Sequence, residues 1–529
     1  MCSARRAAGR SRAEGERAMR TKYSVINIIA GVGGHLLNMA LSFISRMIFI
    51  RYLSAAYLGV NGLFSDILGM LNLAELGIGT AMIFSMYKPA AEDNREELGQ
   101  LMNLYRVLYR IVAAFVLVVG LALLPFLNVL IKGDSGIENL RVIYLMYLGN
   151  SVCSYLLSYK NSILLAYQKA YVRTVIEQLM RTAQMLLQIA VLVLTGNFLL
   201  YLAVQIGTII VTNAAVALKV NRDYPYLKAE KRLPSKEKRG EIVKNIWAMS
   251  MHRFGTVVVN GTDNLIMSAF VGLTSVGIYS NYRLVIKSLN DLLYKVYSAF
   301  TGSIGNLGAT EDGEYIYKIY KQLDFFMFLF YGYLAAGLTV LLNPFIRLMF
   351  GEDYLFPMPI VLVLIVQFYI SGMRQINLQF REAMGLFWHD RYKAVAEAII
   401  NLVASLILVQ KYGVTGVFLG TIISTVTTCF WVEPYVLMKY GIKSEWTGKL
   451  KTYFVDYGLR AATVVIGSLL GRWLFASHID TIMMFILKGV GFTIVYGVLI
   501  LVMFGRTAEF RALLENGKRI IRRKMSKKQ

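Results

Sequence analysis

The chain has 529 residues, 56% of them hydrophobic, and carries 56 Lys and Arg against 32 Asp and Glu, a formal net charge of +24. Ordinary soluble domains are about 45–50% apolar; the excess here falls in runs of about 20 residues, the length that crosses a hydrocarbon core about 30 Å thick. That pattern excludes a soluble globular fold and a membrane β-barrel, whose segments alternate over about 10 residues. It also turns the basic excess from a nucleic-acid signal into a positive-inside signal with anionic-lipid contact.

Residues 1–18, MCSARRAAGRSRAEGERA, are basic and featureless, and the stretch from Met19, MRTKYSVINIIAG, reads as the natural start. No small-residue cleavage site follows the first apolar run, so it reads as an uncleaved span. Fourteen runs follow in order: 26–50, 55–86, 109–131, 141–166, 172–195, 198–219, 246–271, 276–304, 323–349, 356–382, 394–411, 414–438, 458–477 and 481–504. Only eight prolines interrupt the chain. The expected class is an all-α membrane protein of about 14 transmembrane helices.

The breaks between runs alternate in charge. The N-terminus holds Arg17, Arg20 and Lys22, the break after the sixth run holds Lys228, Arg232, Lys236 and Lys238 among others, and the tail holds Arg519, Arg522, Arg523 and Lys524. Alternate breaks, such as Thr195-Gly196-Asn197 and Gly272-Leu273-Thr274, are short and nearly uncharged. Both termini are therefore expected in the cytoplasm of a multi-pass protein of a bacterial inner membrane.

The two halves repeat. An offset of 218 residues pairs Gly133 with Gly351 and Gly59 of YLGVN with Gly277 of SVGIY; an offset of 221 pairs Lys160 with Arg381 and Tyr171 with Tyr392. Six spans per unit restore the starting side, so the units are related by an axis along the membrane normal. The expected organisation is a basic N-terminus over 1–22, a six-helix lobe over 23–220, a basic linker over 221–245, a second six-helix lobe over 246–438, two further helices over 439–505 and a basic tail over 506–529.

No phosphate-binding glycine loop, nucleophile elbow or metal motif is present; the four histidines, His35, His252, His389 and His478, have no metal-ligand spacing. Cys2, Cys153 and Cys429 imply no disulfide framework. With no loop long enough for a catalytic domain, an enzyme is not expected, and neither a catalytic residue, a metal nor a bound cofactor.

What remains is polar residues inside spans, which are costly in lipid and normally face a protein interior or watery cavity. His35, Asn38, Ser42 and Arg46 share one face of the first span; Asn61, Ser65, Asn72 and Glu75 share a face of the second, with Asp66 beside it. Arg173, Glu177, Arg181, Gln184 and Gln188 form a column in the fifth span. Arg253, Asn260 and Asn264 align in the seventh with Asp263 adjacent, Lys287 and Asp291 lie in the eighth, and Gln367, Ser371, Arg374 and Arg381 in the tenth. The functional reading is a cavity in which Arg46, Arg181, Arg253, Arg374, His35, Asn260 and Asn264 contact substrate; guanidinium pairs bidentately with phosphate oxygens. The competing reading is structural ion pairing, since Arg173–Glu177 and Lys287–Asp291 sit at i,i+4 spacing. Asp66, Glu75, Asp263 and Asp291 are candidates for coupling to H+ or Na+.

Four stretches carry a resemblance: YLGVNGLFSDILGMLNLAELGIGTAM at 57–82, TDNLIMSAFVGLTSVGIYSNYRLV at 262–285, SAFTGSIGNL at 298–307 and REAMGLFWHDRYKAVAEAIINL at 381–402. With these the chain resembles the polysaccharide-biosynthesis flippases, the O-unit or repeat-unit translocases of the multidrug/oligosaccharidyl-lipid/polysaccharide exporter superfamily, over residues 20 to 505. The resemblance implies two six-helix lobes in a V. It also implies a function, the flipping of an undecaprenyl-pyrophosphate-linked oligosaccharide from the cytoplasmic to the outer leaflet by alternating access, alongside membrane lipids and a polysaccharide polymerase of the same pathway. By analogy with the lipid II flippase of that superfamily, Arg46 and Arg253 are pyrophosphate contacts. The alternatives are a cation-coupled multidrug exporter of the same fold, for which an acid-dominated cavity is expected, and a lipid II flippase itself. No nucleic-acid partner is expected.

Overall fold

The computed structural model describes residues 38–526, apart from 76, 133–135, 168, 229, 231, 299, 476–478 and 480; side chains at 73, 74, 128, 228, 245, 248–260, 302, 309, 387, 517 and 520–526 are also outside the described set. The described residues form helices and connections without strands. The chain opens with α1 (38–52), α2 (Ala55–Leu71), α3 (Ile78–Ala91), α4 (Arg95–Leu123), α5 (Leu127–Leu130), α6 (Leu140–Tyr155), α7 (Asn161–Ala166), α8 (Ala170–Thr195) and α9 (Phe198–Asp223). It continues with α10 (Lys236–Phe270), α11 (Leu273–Ser298), α12 (Thr301–Thr310), α13 (Gly313–Phe350), α14 (Met358–Met373), α15 (Gln375–Ala383), α16 (Lys393–Tyr412), α17 (Val414–Thr427) and α18 (Cys429–Val436). Last come α19 (Trp446–Leu474), α20 (Ile482–Phe504) and α21 (Ala508–Ser526).

Helices of this length in so apolar a chain follow from the need to satisfy every backbone polar group without water. Their starts carry side-chain caps: Asn94 accepts from Glu97 N–H at 3.1 Å, Asn197 from Leu199 at 2.8 Å, and Asp312 from Tyr315 at 2.8 Å. Ten helical segments of the described chain are long and apolar enough to cross a membrane. The remaining predicted runs, the first (from residue 38), second, seventh and eighth, are helical where described but shorter, broken or more polar. They are the first two spans of each half. The second is interrupted where Gly77, at φ +85°, turns the chain out of α-helical geometry between α2 and α3.

Several helices outrun the apolar stretches that predict them. α4 begins at Arg95 rather than 109, α10 at Lys236 rather than 246, and α13 at Gly313 rather than 323. Hydropathy marks only the part of a helix that lies in lipid, whereas hydrogen bonding continues until a cap ends it. The tail expected over 506–529 is likewise helical as far as Ser526.

Two large hydrophobic cores form among the described residues, beside a small cluster of Ile266, Val409 and Val417. One runs from Phe49 to Ile242 with Leu273 added, the other from Met267 to Phe504. Large apolar side chains such as Leu194, Trp473 and Val502 stand outward instead, as a lipid-facing surface requires. The halves meet where α2 packs along α11 and α10. A Cβ at Gly59 would lie 2.1 Å from the Leu273 carbonyl oxygen, and one at Gly277 would lie 2.0 Å from that of Ala55. The same 218-residue offset that pairs the glycines also pairs Ala55 with Leu273, so the contact is reciprocal. At the same end, Lys132 Nζ donates to the Phe270 carbonyl at 2.7 Å and Ser268 Oγ to that of Leu130 at 2.8 Å. At the opposite end the connection between halves is fastened to the start of α4 through Lys238–Glu97.

Candidate functional site: a basic, amide-lined cavity in the N-terminal half

A cavity of about 600 Å³ lies between α1, α2, α6, α7, α8 and α9, with Leu284 of α11 as its contribution from the other half. α1 turns Ser42, Ser45, Arg46 and Phe49 into it, spaced three and four residues apart as one helical face demands. α8 supplies Arg173, Glu177, Arg181, Gln184 and Gln188 by the same periodicity. The wall opposite comes from the break between α6 and α7, where Leu157 sits at φ +66°. A break leaves helix-end carbonyls without partners, and Asn213 of α9 meets them, its Nδ2 donating to Leu156 O at 3.0 Å and Cys153 O at 3.2 Å.

The charge balance is basic: three arginines, Arg46, Arg173 and Arg181, against one carboxylate, Glu177. That carboxylate is engaged, accepting from Arg173 Nε at 2.7 Å. Arg46 donates from Nη1 to the neutral Ser280 Oγ of α11 at 2.9 Å, which ties this cation across the two halves. Arg181 makes no hydrogen bond or ion pair among the described residues. The remaining wall is rich in amides and hydroxyls, and Asn150 Oδ1 and Asn161 Oδ1 are buried there without a hydrogen-bond partner among the described residues. Such acceptors are costly to leave unmet. Chemically the cavity offers an anion two cations free of carboxylates and offers hydroxyl groups a wall of acceptors and donors.

The other predicted site residues lie elsewhere. His35 lies outside the described residues, and the side chains of Arg253 and Asn260 on α10 do as well. Asn264 Nδ2 donates to Asp66 Oδ2 at 2.6 Å, and Arg283 of α11 pairs with the same carboxylate at 3.0 Å, so Asp66 is neutralised at the seam between halves. Arg374 is held by Glu433 at 2.8 Å and Glu397 at 3.4 Å inside the C-terminal half, away from the cavity. Lys393 joins Glu433 at 2.7 Å and Asp390 at 3.1 Å, and Arg381 pairs with Asp390. Asp291 pairs with Lys287 at 2.8 Å on an exposed face. Glu75 accepts from the Tyr109 hydroxyl. Asp263 is only 8% exposed and pairs with no cation among the described residues; it accepts from Thr421 Oγ1 at 3.3 Å, and Asn401 donates to the same hydroxyl oxygen at 2.9 Å.

Sequence reasoning missed Asn150, Asn161, Asn213 and Glu433. The helix break at 156–160 has no proline or glycine to announce it. Glu433 lies 59 residues from the arginine it neutralises.

No protein-family model matches the sequence, and no curated protein matches it. Among solved structures the chain is similar to the lipid II flippase MurJ in an inward closed conformation, with TM-score 0.64, 13% identity, and coverage of 90% of this chain and 99% of that one. It is also similar to a multidrug resistance MATE family transporter of the MOP superfamily in an inward-facing conformation, with TM-score 0.61, 15% identity, and coverage of 78% and 96%. These likenesses establish the fold, a two-half helical membrane architecture. Both neighbours are transporters or flippases rather than enzymes.

Proposed function

We propose that this chain flips a lipid-linked oligosaccharide, an undecaprenyl-pyrophosphate-linked repeat unit, from the cytoplasmic to the outer leaflet of a bacterial cell membrane. The observation that carries the reading is the N-terminal cavity. A cationic drug needs an acidic receptor, and here the single carboxylate is spent on Arg173 while Arg46 and Arg181 face the space. Guanidinium groups free of carboxylates suit a pyrophosphate, and the amide and hydroxyl wall suits the hydroxyls of a glycan. Chemistry on the substrate is not required; movement is.

In this reading both termini are cytoplasmic, and the Gly59–Gly277 seam then closes the outer end, because α2 begins and α10 ends there. The head group enters from the cytoplasm, Arg46 and Arg181 neutralise its phosphates, and rocking of the halves about the seam exchanges access. Arg46 is placed to report occupancy, since its bond to Ser280 competes with a phosphate for the same guanidinium. Asp263 is the coupling residue, for H+ or Na+: Asp66 and Asp291 are already met by Arg283 and Lys287, and of the two acids met only by a hydroxyl, Glu75 is partly exposed while Asp263 is buried. A polymerase of the same pathway takes the product. A lipid II head group, also a pyrophosphate-linked glycan, fits the same chemistry; the assay below separates it by the label used.

The test is a leaflet assay in a deletion strain with radiolabelled undecaprenyl-pyrophosphate-linked sugar, scored for access to an enzyme added outside. Arg46→Ala with Arg181→Ala should lower outer-leaflet label by at least tenfold at unchanged protein level, since each charge-assisted bond is worth about 1.5–3 kcal/mol. Asp263→Asn should leave substrate binding intact and remove the dependence of flipping on the ion gradient. Normal label in the double variant, or altered drug susceptibility with unchanged label, sinks the reading.

A further inference from the structure

α21 is a basic amphipathic helix that the cavity does not use. Its sequence, AEFRALLENGKRIIRRKMS, holds six Lys and Arg against two Glu. One of those acids is spent: Glu509 Oε1 pairs with Lys321 of α13 at 2.8 Å. Phe510 and Leu513 pack onto the core of the C-terminal half, with the Phe510 ring 6.4 Å from that of Phe325. This apolar stripe fixes which way the helix faces. Arg511, Lys518 and Arg519 are left exposed.

The depth of the helix is set independently by α13. Its first ten residues, GEYIYKIYKQ, are mostly polar, and the next twelve, LDFFMFLFYGYL, are apolar except for Asp324, which pairs with Arg460 inside the packing. The change falls between Gln322 and Leu323, which is where a membrane surface crosses such a helix. α21 touches α13 at Lys321 and Phe325, on either side of that boundary. It is also tied to α20 by residues 505–507 alone, a connection that spans at most about 10 Å. A helix held in the surface plane with a basic face meets lipid phosphates before anything else.

We propose that α21 is a docking surface for anionic lipid headgroups of the leaflet it lies against. The ligand is a lipid surface rather than a single phosphate, because the exposed cations are spread over two turns from Arg511 to Arg519 and line no enclosed pocket.

The full chain is reconstituted in nanodiscs of phosphatidylcholine, with or without added phosphatidylglycerol, and amide exchange over 508–526 is followed by mass spectrometry. Anionic lipid should slow exchange there at least fivefold, the gain roughly one basic residue brings near such a surface, and leave the exchange of α4 unchanged. High salt should erase the difference in the unmodified chain, an arm that needs no variant. Arg511→Gln, Lys518→Gln and Arg519→Gln together should erase it too. Equal exchange in the two lipids overturns the proposal. So does the same slowing produced by inorganic phosphate in neutral discs, or by RNA, either of which would mean a general polyanion site.

Discussion

The two halves of this molecule use the same fold to treat arginine in opposite ways. In the N-terminal half Arg46 and Arg181 face a cavity, and neither pairs with a carboxylate among the described residues. In the C-terminal half Arg374, Lys393 and Arg381 are matched by Glu433, Glu397 and Asp390 and sealed into the packing between α15, α16 and α18. The same residue type is thus a receptor on one side and a brace on the other, and what separates them is the carboxylate. A buried guanidinium without one must find an anion elsewhere or stay wet; one with two becomes structure.

That contrast can be broken from the braced side. Glu433, fully buried, compensates both Arg374 and Lys393. Glu433→Gln should cost about 3–5 kcal/mol, the usual penalty for stranding buried charge, and appear as a large drop in melting temperature and in membrane-inserted protein. A loss of flipping with unchanged stability would instead move Arg374 into the substrate path.

The seam gives the next effect. Gly277→Leu cannot fit against the Ala55 carbonyl, so the halves must part at that end, at about 1–3 kcal/mol for forced overpacking. A cysteine introduced at Leu273, which is 4% exposed, should then react with an impermeant maleimide many times faster than in the parent. Unchanged labelling would show that the seam yields locally rather than by moving the halves. The smallest effect is expected at the exposed Lys287–Asp291 pair: Asp291→Asn should change stability by less than about 0.5 kcal/mol and leave the ion dependence of flipping alone. Loss of that dependence would transfer the coupling role from Asp263 to Asp291.

Much of this was legible in the sequence, for reasons that also mark where legibility stops. A helix in lipid must be apolar for about 20 residues, so each of the fourteen runs corresponds to described helix, the first from residue 38. Polar columns on α1 and α8 follow from the 3.6-residue period, and the i,i+4 pairs Arg173–Glu177 and Lys287–Asp291 were readable because both partners lie on one helix. Arg374 illustrates the limit. Its own helix shows a polar face like that of α8, and only the folding of α18 beside it reveals that the face is neutralised. The breaks at Gly77 and Leu157 were hidden as well, the second because nothing in SYLLSYK (154–160) is a strong helix breaker.

The reciprocal seam has one more consequence. Gly59 meets Leu273 and Gly277 meets Ala55, the arrangement of an isologous interface between identical subunits. In a true homodimer one codon would serve both contacts, and a single substitution would strike twice. Here each contact is encoded separately, so one can drift while the other holds, and asymmetry between the halves becomes permissible at the place where they touch.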